Sequence, residues 1–296
     1  MRPGRFTHFL AIDWSGAKGP RQPGIALAIA DANGGAPVLI DPPGRGWARE
    51  EVLAILRDAI PDNTLVGMDL GISLPFQDSG AFFPGWNESP ADAKTLWNFI
   101  DTICADDPNL ECGSFVSNAQ AARYFRHSKE HVGEHFHLPD APTKEGRFRR
   151  AEAAQRAQGV RPVSNFNLVG AAQVGKSSLT GMRMLNRLRG HVSVWPIDPV
   201  PDEGSVLVEM YTAFSARGAG LANGKTKFRT YEQVNKGLGA LGSPPVLGSG
   251  PIDDHSSDAL ITAAWLRKVA GDAQYWEPAG LTHEIAQTEG WTFGAL

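Results

Sequence analysis

The sequence predicts an α/β protein built on a mixed five-stranded sheet, in which a three-strand antiparallel meander is followed by two parallel strands. Two observations predict this class. Short, mostly apolar segments that are typical of buried strands occur at residues 7–13, 64–69 and 206–211. Segments with apolar residues at helical spacing, at 48–60 and 177–189, alternate with them. Strands that alternate with helices after a meander favour a sheet with helices on both faces.

The meander comprises predicted strands at 7–13, 24–30 and 36–40. The second and third are joined across Asn33-Gly34, and both of these residues tolerate the positive φ of a tight hairpin turn. Antiparallel pairing of the three strands therefore needs no long connection.

A helix is predicted next, over residues 48–60. Val52, Ile55, Leu56 and Ala59 recur along it at helical spacing, so that one face is apolar. The fourth strand follows at 64–69.

Residues 76–175 are predicted to form a large helical and loop-rich insertion within a single domain spanning 1–296. Turn signals such as Pro84-Gly85 interrupt this stretch. The helix at 177–189, the fifth strand at 206–211 and a final helix that begins near Asp254 complete the order of elements.

Composition predicts a soluble, cytoplasmic protein. Of the 296 residues, 42% are hydrophobic and 20% charged, which is enough to bury a core. The two cysteines, Cys104 and Cys112, form no C-x-x-C pair, so neither a disulfide framework nor a thiolate zinc site is predicted. No signal peptide or membrane span is recognisable. A net charge of −4 excludes a globally basic nucleic-acid binder, so contact with a polyanion would need a local basic patch.

Acidic residues stand at or near the ends of three predicted strands: Asp13, Asp69 and Glu209. Burying an unpaired carboxylate is costly unless it is paired or bound to a metal. Ligands gather at the carboxyl ends of parallel strands, so these acids predict a shared cation. As alternatives, Asp13 and Asp69 would be turn formers and Glu209 an exposed strand residue.

The last predicted helix adds further candidates. Asp254 and Asp258 are four residues apart, on one helical face, and His255 lies three residues before Asp258. We therefore expect Asp13, Asp69, Asp254 and Asp258 as metal ligands, and His255 and Glu209 with them in the catalytic set. Carboxylate oxygens suit Mg²⁺ or Mn²⁺, and two ions about 3.5–4 Å apart would clamp the attacking and leaving oxygens of a phosphodiester. Asp254 is alternatively a helix N-cap.

Five short motifs carry a family resemblance: Ala11-Ile12-Asp13-Trp14-Ser15-Gly16, Gly67-Met68-Asp69 with Leu74-Pro75, Val208-Glu209-Met210-Tyr211, His255-Ser256-Ser257-Asp258-Ala259-Leu260 and Glu289-Gly290-Trp291-Thr292-Phe293-Gly294. In this order they resemble the DUF429 family of predicted ribonuclease H-like nucleases. The last helix is similar to that of RuvC-type resolvases, in which an acid or a histidine precedes the last aspartate by three residues.

The resemblance implies a ribonuclease H-like fold and Mg²⁺- or Mn²⁺-dependent hydrolysis of phosphodiesters, with Asp13, Asp69 and Asp258 as ligands. The sequence departs from the ribonuclease H pattern in one respect. Its first long helix has no acid that clearly corresponds to the catalytic glutamate, and Glu50 and Glu51 are candidates by position only.

Several basic residues and one serine are predicted to contact a nucleic-acid substrate. Ser15 and Lys18 follow the first strand, and two basic clusters contain an aromatic residue, a combination that suits a phosphate backbone with base stacking. The first cluster spans residues 144–161 and includes Arg147, Arg149 and Arg150, and the second comprises Lys225, Lys227 and Arg229. A solvated helix face is an equally good interpretation of the first cluster.

Two other motifs compete with this interpretation. Residues 170–177 match the phosphate-loop pattern G-x-x-x-x-G-K-S, but no continuous apolar strand precedes them. A Gly-rich turn that begins a helix explains them better, and Lys176 could still contact a substrate phosphate. Residues 131–135 match the zinc-peptidase pattern H-x-x-E-H, but Gly133 within the pattern and Pro139 soon after it make a poor active-site helix, so a solvated polar helix is the favoured interpretation.

The leading hypothesis from the sequence is a two-metal nuclease that hydrolyses phosphodiester bonds. An ATP-dependent phosphotransferase of the actin and sugar-kinase type, or a P-loop NTPase, is the alternative enzyme class. A ribonuclease H-like module that binds nucleic acid without cleaving it is the third hypothesis.

Overall fold

The computed structural model describes residues 4–140, 144–170, 173–222 and 227–296. Its centre is a six-stranded mixed sheet in the order β3-β2-β1-β4-β6-β5. The strands are β1 (His8–Asp13), β2 (Ala26–Asp31), β3 (Gly34–Ile40), β4 (Thr64–Asp69), β5 (Ser193–Trp195) and β6 (Val206–Glu209).

The pairing of the strands confirms the predicted meander followed by parallel strands. β2 is antiparallel to both β1 and β3, whereas β4 is parallel to β1 and to β6. The predicted number of strands was wrong, because β5 adds a sixth strand parallel to β6 at the edge. β5 has only three residues and Pro196 follows it directly, which an edge strand tolerates because nothing needs to pair beyond it.

Ten helices surround the sheet within the described ranges. They are α1 (Arg49–Ala54), which continues into a π-helical turn (Ile55–Ala59), α2 (Ala93–Ile103), α3 (Gly113–Ser117), α4 (Arg150–Ala157), α5 (Val174–Leu188), α6 (Thr212–Gly218), α7 (Tyr231–Ala240), α8 (Asp254–Val269), α9 (Ala273–Trp276) and α10 (His283–Thr288). No helix in these ranges is long and apolar enough to cross a bilayer.

The two faces of the sheet bury separate cores. Along β1, Leu10 and Ile12 face one core, which contains α5 and the aromatic residues of the segment between β4 and α5. Phe9 and Ala11 face the other core, which contains α8. This alternation follows from the two-residue period of a strand. Asp13 comes two residues after Ala11, so its side chain leaves on the same face, towards α8.

The segment between β4 and α5 contains α2, α3, α4 and two 3₁₀ turns (Pro108–Leu110 and Ala121–Tyr124). Phe83 lies at its centre, with its ring 5.1 Å from that of Tyr124 and 5.9 Å from that of Phe115. The polar helix expected at 131–135 is absent: Val132 forms an isolated antiparallel bridge with Arg126, and a turn follows at 134–135.

Candidate active site

Asp13 and Asp69 end adjacent parallel strands and are partners in the β1–β4 register. Neighbouring strands lie about 4.8 Å apart, so their side chains leave the same face of the sheet side by side. Ile12 and Met68, one residue earlier, face the opposite core. The predicted pair of acids therefore results from the register of two buried strands.

Asp258 reaches this pair from α8. The Asp253 carboxylate caps that helix by accepting a hydrogen bond from the Ser256 N–H at 2.9 Å. Asp258 lies one turn later, is only 4% exposed, and lines the same narrow space as Asp13 and Asp69, between the sheet and α8. Three acids from β1, β4 and α8 thus meet at one place.

Burial and repulsion between neighbouring acids disfavour the ionised forms of Asp69 and Asp258. Burial raises the pKa of Asp69 well above its ordinary value, and the charges of Asp13 and Asp258 raise it further. The Thr212 hydroxyl donates to the Asp69 carboxylate at 3.3 Å and opposes this shift. Burial also raises the pKa of Asp258 to about 6, although Lys227 lowers it. The positive charge near the three acids is therefore too small to keep the pKa values of Asp69 and Asp258 at their ordinary level.

Two basic side chains partly compensate the acids. His255 Nδ1 lies 2.9 Å from Asp13 Oδ2, and this hydrogen bond raises the pKa of the imidazole. The Lys227 ammonium donates a hydrogen bond to Asp258 Oδ2. Asp13 thus pairs with the His255 imidazole and Asp258 with the Lys227 ammonium.

A cavity of about 370 Å³ opens beside the acids. Asp13, Asp69, Lys227 and His255 line it, and the loop after β1 contributes Ser15. The lining also includes Glu152, Gln155, Asn165 and Ser177, from α4, α5 and the loop between them. The volume falls within the range of small-molecule sites.

Close packing fixes the loop that carries Ser15. A Cβ at Gly16 would lie 2.3 Å from the backbone of Lys176 and Ser177, so only glycine fits against the start of α5. The buried Arg49 guanidinium donates to the Ser15 carbonyl at 2.9 Å and also to the carbonyl of Ala17. The loop is therefore held between α1 and α5.

Glu209 occupies a different position from the other acids. It is the register partner of Met68, so it points to the face of the sheet opposite to Asp13 and Asp69. Its carboxylate accepts hydrogen bonds from the Ile72 N–H at 2.8 Å, the Thr292 hydroxyl at 2.5 Å and the Arg149 guanidinium at 2.7 Å. Glu209 lines the cavity, but its carboxylate is fully engaged with the protein.

Two of the predicted phosphate contacts are corrected by the structure. Arg147 is buried against Asp78 at 2.6 Å and against backbone carbonyls, and Arg149 is buried between Glu152 and Glu209. Both guanidinium groups are buried and already paired with carboxylates of the protein.

The remaining predicted contacts are placed as follows. Arg150 is exposed at the start of α4. Lys18 is exposed and does not line the cavity, whereas Lys227 does. Lys225 lies outside the described residues.

Asp254 is not brought into the cavity. It is the first residue of α8, and its carboxylate lies 3.5 Å from the Arg229 guanidinium near the surface. The helix is capped by Asp253, so the alternative in which Asp254 is the N-cap is also wrong.

The phosphate-loop pattern does not form a phosphate loop in the described part of the segment. Residues 160–170 contain no strand, and α5 begins at Val174, before Lys176. Ser177, rather than Lys176, lines the cavity.

The donor set of the acid cluster fits a hard divalent cation, since Asp13, Asp69 and Asp258 offer only carboxylate oxygens. The three carboxylates are not, however, already arranged around a common point where a metal ion could bind. No group of three or more His, Cys, Asp or Glu residues in the described segments is positioned to hold a metal ion. The ion pairs of Asp13 and Asp258 explain this, because each directs a carboxylate towards His255 or Lys227.

Sequence reasoning missed two neighbours of the acids. Thr212 contacts Asp69, and Tyr211 lines the cavity. They lie two and three residues after the end of β6, so their position just beyond a parallel strand was the available signal. The spacing of Arg149 and Glu152, three residues apart, was a further signal that was missed, because it predicts that the two side chains pair.

Comparison with known proteins adds no relative: no family model, curated protein or solved structure matches this chain.

Proposed function

We propose that this protein is a Mg²⁺- or Mn²⁺-dependent nuclease that hydrolyses phosphodiester bonds. The observation that carries the proposal is the convergence of Asp13, Asp69 and Asp258 from β1, β4 and α8. Three carboxylates that meet at one place, with the pKa values of Asp69 and Asp258 raised by burial and by neighbouring acids, are more typical of a functional site than of a structural ion pair.

The sheet supports a ribonuclease H-like interpretation of the fold. A three-strand antiparallel meander leads into β4 and β6, which run parallel to β1. The acids occupy the carboxyl ends of β1 and β4, where ligands of such sheets bind. This topology agrees with the resemblance to the DUF429 family.

Asp13, Asp69 and Asp258 would hold the cation. A divalent cation, when bound by such carboxylates, supplies charge for the transferring phosphate and lowers the pKa of water. The Thr212 hydroxyl orients Asp69, and His255 orients Asp13 while holding a proton beside it. The cavity next to these side chains provides room for a substrate phosphate and its sugar.

A direct assay tests the proposal. The full-length protein is incubated with Mn²⁺ or Mg²⁺ and with single-stranded, duplex, hybrid and branched nucleic acids. We expect cleavage of at least one substrate that EDTA abolishes. Asp13→Asn should lower the rate by more than about 100-fold, the upper range for loss of an outer-shell partner of a metal site. Asp58→Asn, which alters an exposed carboxylate that pairs with Arg57 elsewhere, is the matched control.

Three results would contradict the proposal. They are the absence of cleavage with every substrate, cleavage that survives EDTA, and full activity of a folded Asp13→Asn variant. Nucleic-acid binding without turnover would instead indicate a non-catalytic module. Tight ATP binding by calorimetry would favour a phosphotransferase.

A further inference from the structure

Lys227 is the only described lysine whose ammonium contacts the acid cluster. It donates to Asp258 Oδ2, and the negative charges of Asp13 and Asp69 attract it as well. The Lys227 side chain remains 35% exposed, whereas that of Asp258 is 3% exposed. A partly exposed ammonium therefore reaches a buried acid from the cavity side.

The backbone that follows Lys227 is firmly held. Phe228 is buried in the core that contains α8, and the Arg229 carbonyl accepts a hydrogen bond from the Ile252 N–H at 3.1 Å. The Tyr231 N–H donates to the Gly250 carbonyl at 3.0 Å. The lysine side chain has four methylene groups joined by rotatable bonds, so the ammonium can leave Asp258 while this backbone stays in place.

The Lys227 ammonium lies at the Asp258 oxygen that a bound divalent cation would also contact. Burying three carboxylates without positive charge is costly, and Lys227 supplies part of that charge in the metal-free protein. A divalent cation that takes an Asp258 oxygen would meet the ammonium at the same oxygen, and like charges repel strongly in a buried site.

We infer that Lys227 is a built-in counter-ion that occupies the cation position beside Asp258, and that a divalent cation binds only by displacing it. This inference rests on the proposed function, which assigns the three acids to a cation. The displaced ammonium stays in the cavity, where it is available to an anionic substrate group. The cation should therefore bind before the substrate phosphate.

Calorimetric titration of EDTA-treated protein with Mn²⁺ tests the inference without an activity measurement. Lys227→Met removes the competing charge and keeps much of the stem, so we expect Mn²⁺ to bind at least tenfold more tightly than to the wild type. Lys227→Arg keeps the charge and should bind Mn²⁺ within threefold of the wild type. Lys268→Met changes a lysine that contacts the Ala240 carbonyl instead, and serves as the control for loss of net positive charge.

Thermal unfolding provides a second readout. Without metal, Lys227→Met should unfold at a lower temperature than the wild type, and saturating Mn²⁺ should narrow or reverse this difference. Lys268→Met should show neither effect.

The outcomes separate the two proposals. Mn²⁺ binding by the wild type with equal or weaker binding by Lys227→Met overturns this inference and leaves the nuclease proposal standing. Absence of Mn²⁺ and Mg²⁺ binding by both proteins overturns the inference and the metal-dependent nuclease together.

Discussion

At the scale of single residues, the acid cluster opposes the stability of the metal-free protein. Asp258 is buried and Asp69 is partly buried, and desolvation raises the pKa of each. A carboxyl group with a raised pKa is easier to protonate in the folded protein than in the unfolded chain. Its ionisation at neutral pH is therefore a cost to folding that a bound cation would offset.

The pH dependence of stability should show this cost for Asp258. Its pKa of about 6 in the folded protein exceeds the unfolded value of about 3.9, so the folded state binds more protons between these pH values. The contribution to stability is fully present below about pH 4 and is lost as the pH rises through about 6. The loss amounts to about 3 kcal/mol.

Urea unfolding of the metal-free protein from pH 4 to pH 8 measures this loss, and Asp258→Asn is the comparison. The free energy of unfolding of the wild type should fall relative to that of the variant over this range. Parallel pH profiles for the two proteins would contradict the assignment.

Single residues differ in how far the sequence predicts them. Asp13 and Asp69 were identifiable because each ends an apolar run, and an acid there needs a partner. Arg149 was not, because a basic residue in a polar segment looks exposed unless its buried partner is known. Lys227 was assigned to the substrate, whereas its contact with Asp258 depends on tertiary packing.

At the scale of elements, the loop after β1 shapes the cavity, as the strand itself positions Asp13. Gly16 touches the first turn of α5, and Arg49 of α1 holds the neighbouring carbonyls. These contacts place Ser15 in the cavity wall beside Asp13. Two helices on one face of the sheet thus shape a site whose acids point to the other face.

Gly16→Ala should disturb this loop. The new methyl group would lie 2.3 Å from the backbone of α5, so the loop or the helix must shift. We expect a loss of about 1–3 kcal/mol in the free energy of unfolding, as for other overpacked sites. Chemical denaturation measures it.

Gly239→Ala is the control for this substitution. Gly239 lies in α7 and a Cβ there meets no neighbouring atom, so alanine should stabilise the protein by about 0.5–1 kcal/mol. Equal stability changes in the two variants would show that the Gly16 contact does not matter.

The sequence predicts long periodic elements better than short ones. α5 and α8 were identified within a few residues because their apolar spacing extends over several turns. The three-residue strand β5 and the short helix α9 carry too few residues for a periodic pattern, and tertiary contacts decide their structure.

At the scale of the whole molecule, the C-terminal segment connects the sheet to the segment that precedes α5. The Phe293 N–H donates to the Glu209 carbonyl at 2.9 Å, which extends the end of β6. The buried Glu289 carboxylate accepts hydrogen bonds from the N–H groups of Phe76, Gln77 and Arg150. These hydrogen bonds join distant parts of the chain to one another.

Phe293→Ala should destabilise the entire protein. The ring is fully buried, with its centroid 4.8 Å from that of Trp276 and 5.7 Å from that of Trp195. Removing it should cost about 3–5 kcal/mol, measured as a lower midpoint of thermal or urea unfolding. Leu296→Ala, at an exposed position three residues later, should change stability by less than about 0.5 kcal/mol. A small effect of Phe293→Ala would mean that the terminal segment folds independently of the sheet.

The Asp13–Asp69 register has a consequence for when the site can form. A slip of one residue between β1 and β4 would exchange the faces of every side chain in the moved strand and separate the two acids. The unfolded chain and misregistered intermediates therefore offer no matching pair of carboxylates. Any affinity for a cation belongs to the native sheet alone, so a cation should slow unfolding without guiding the early steps of folding.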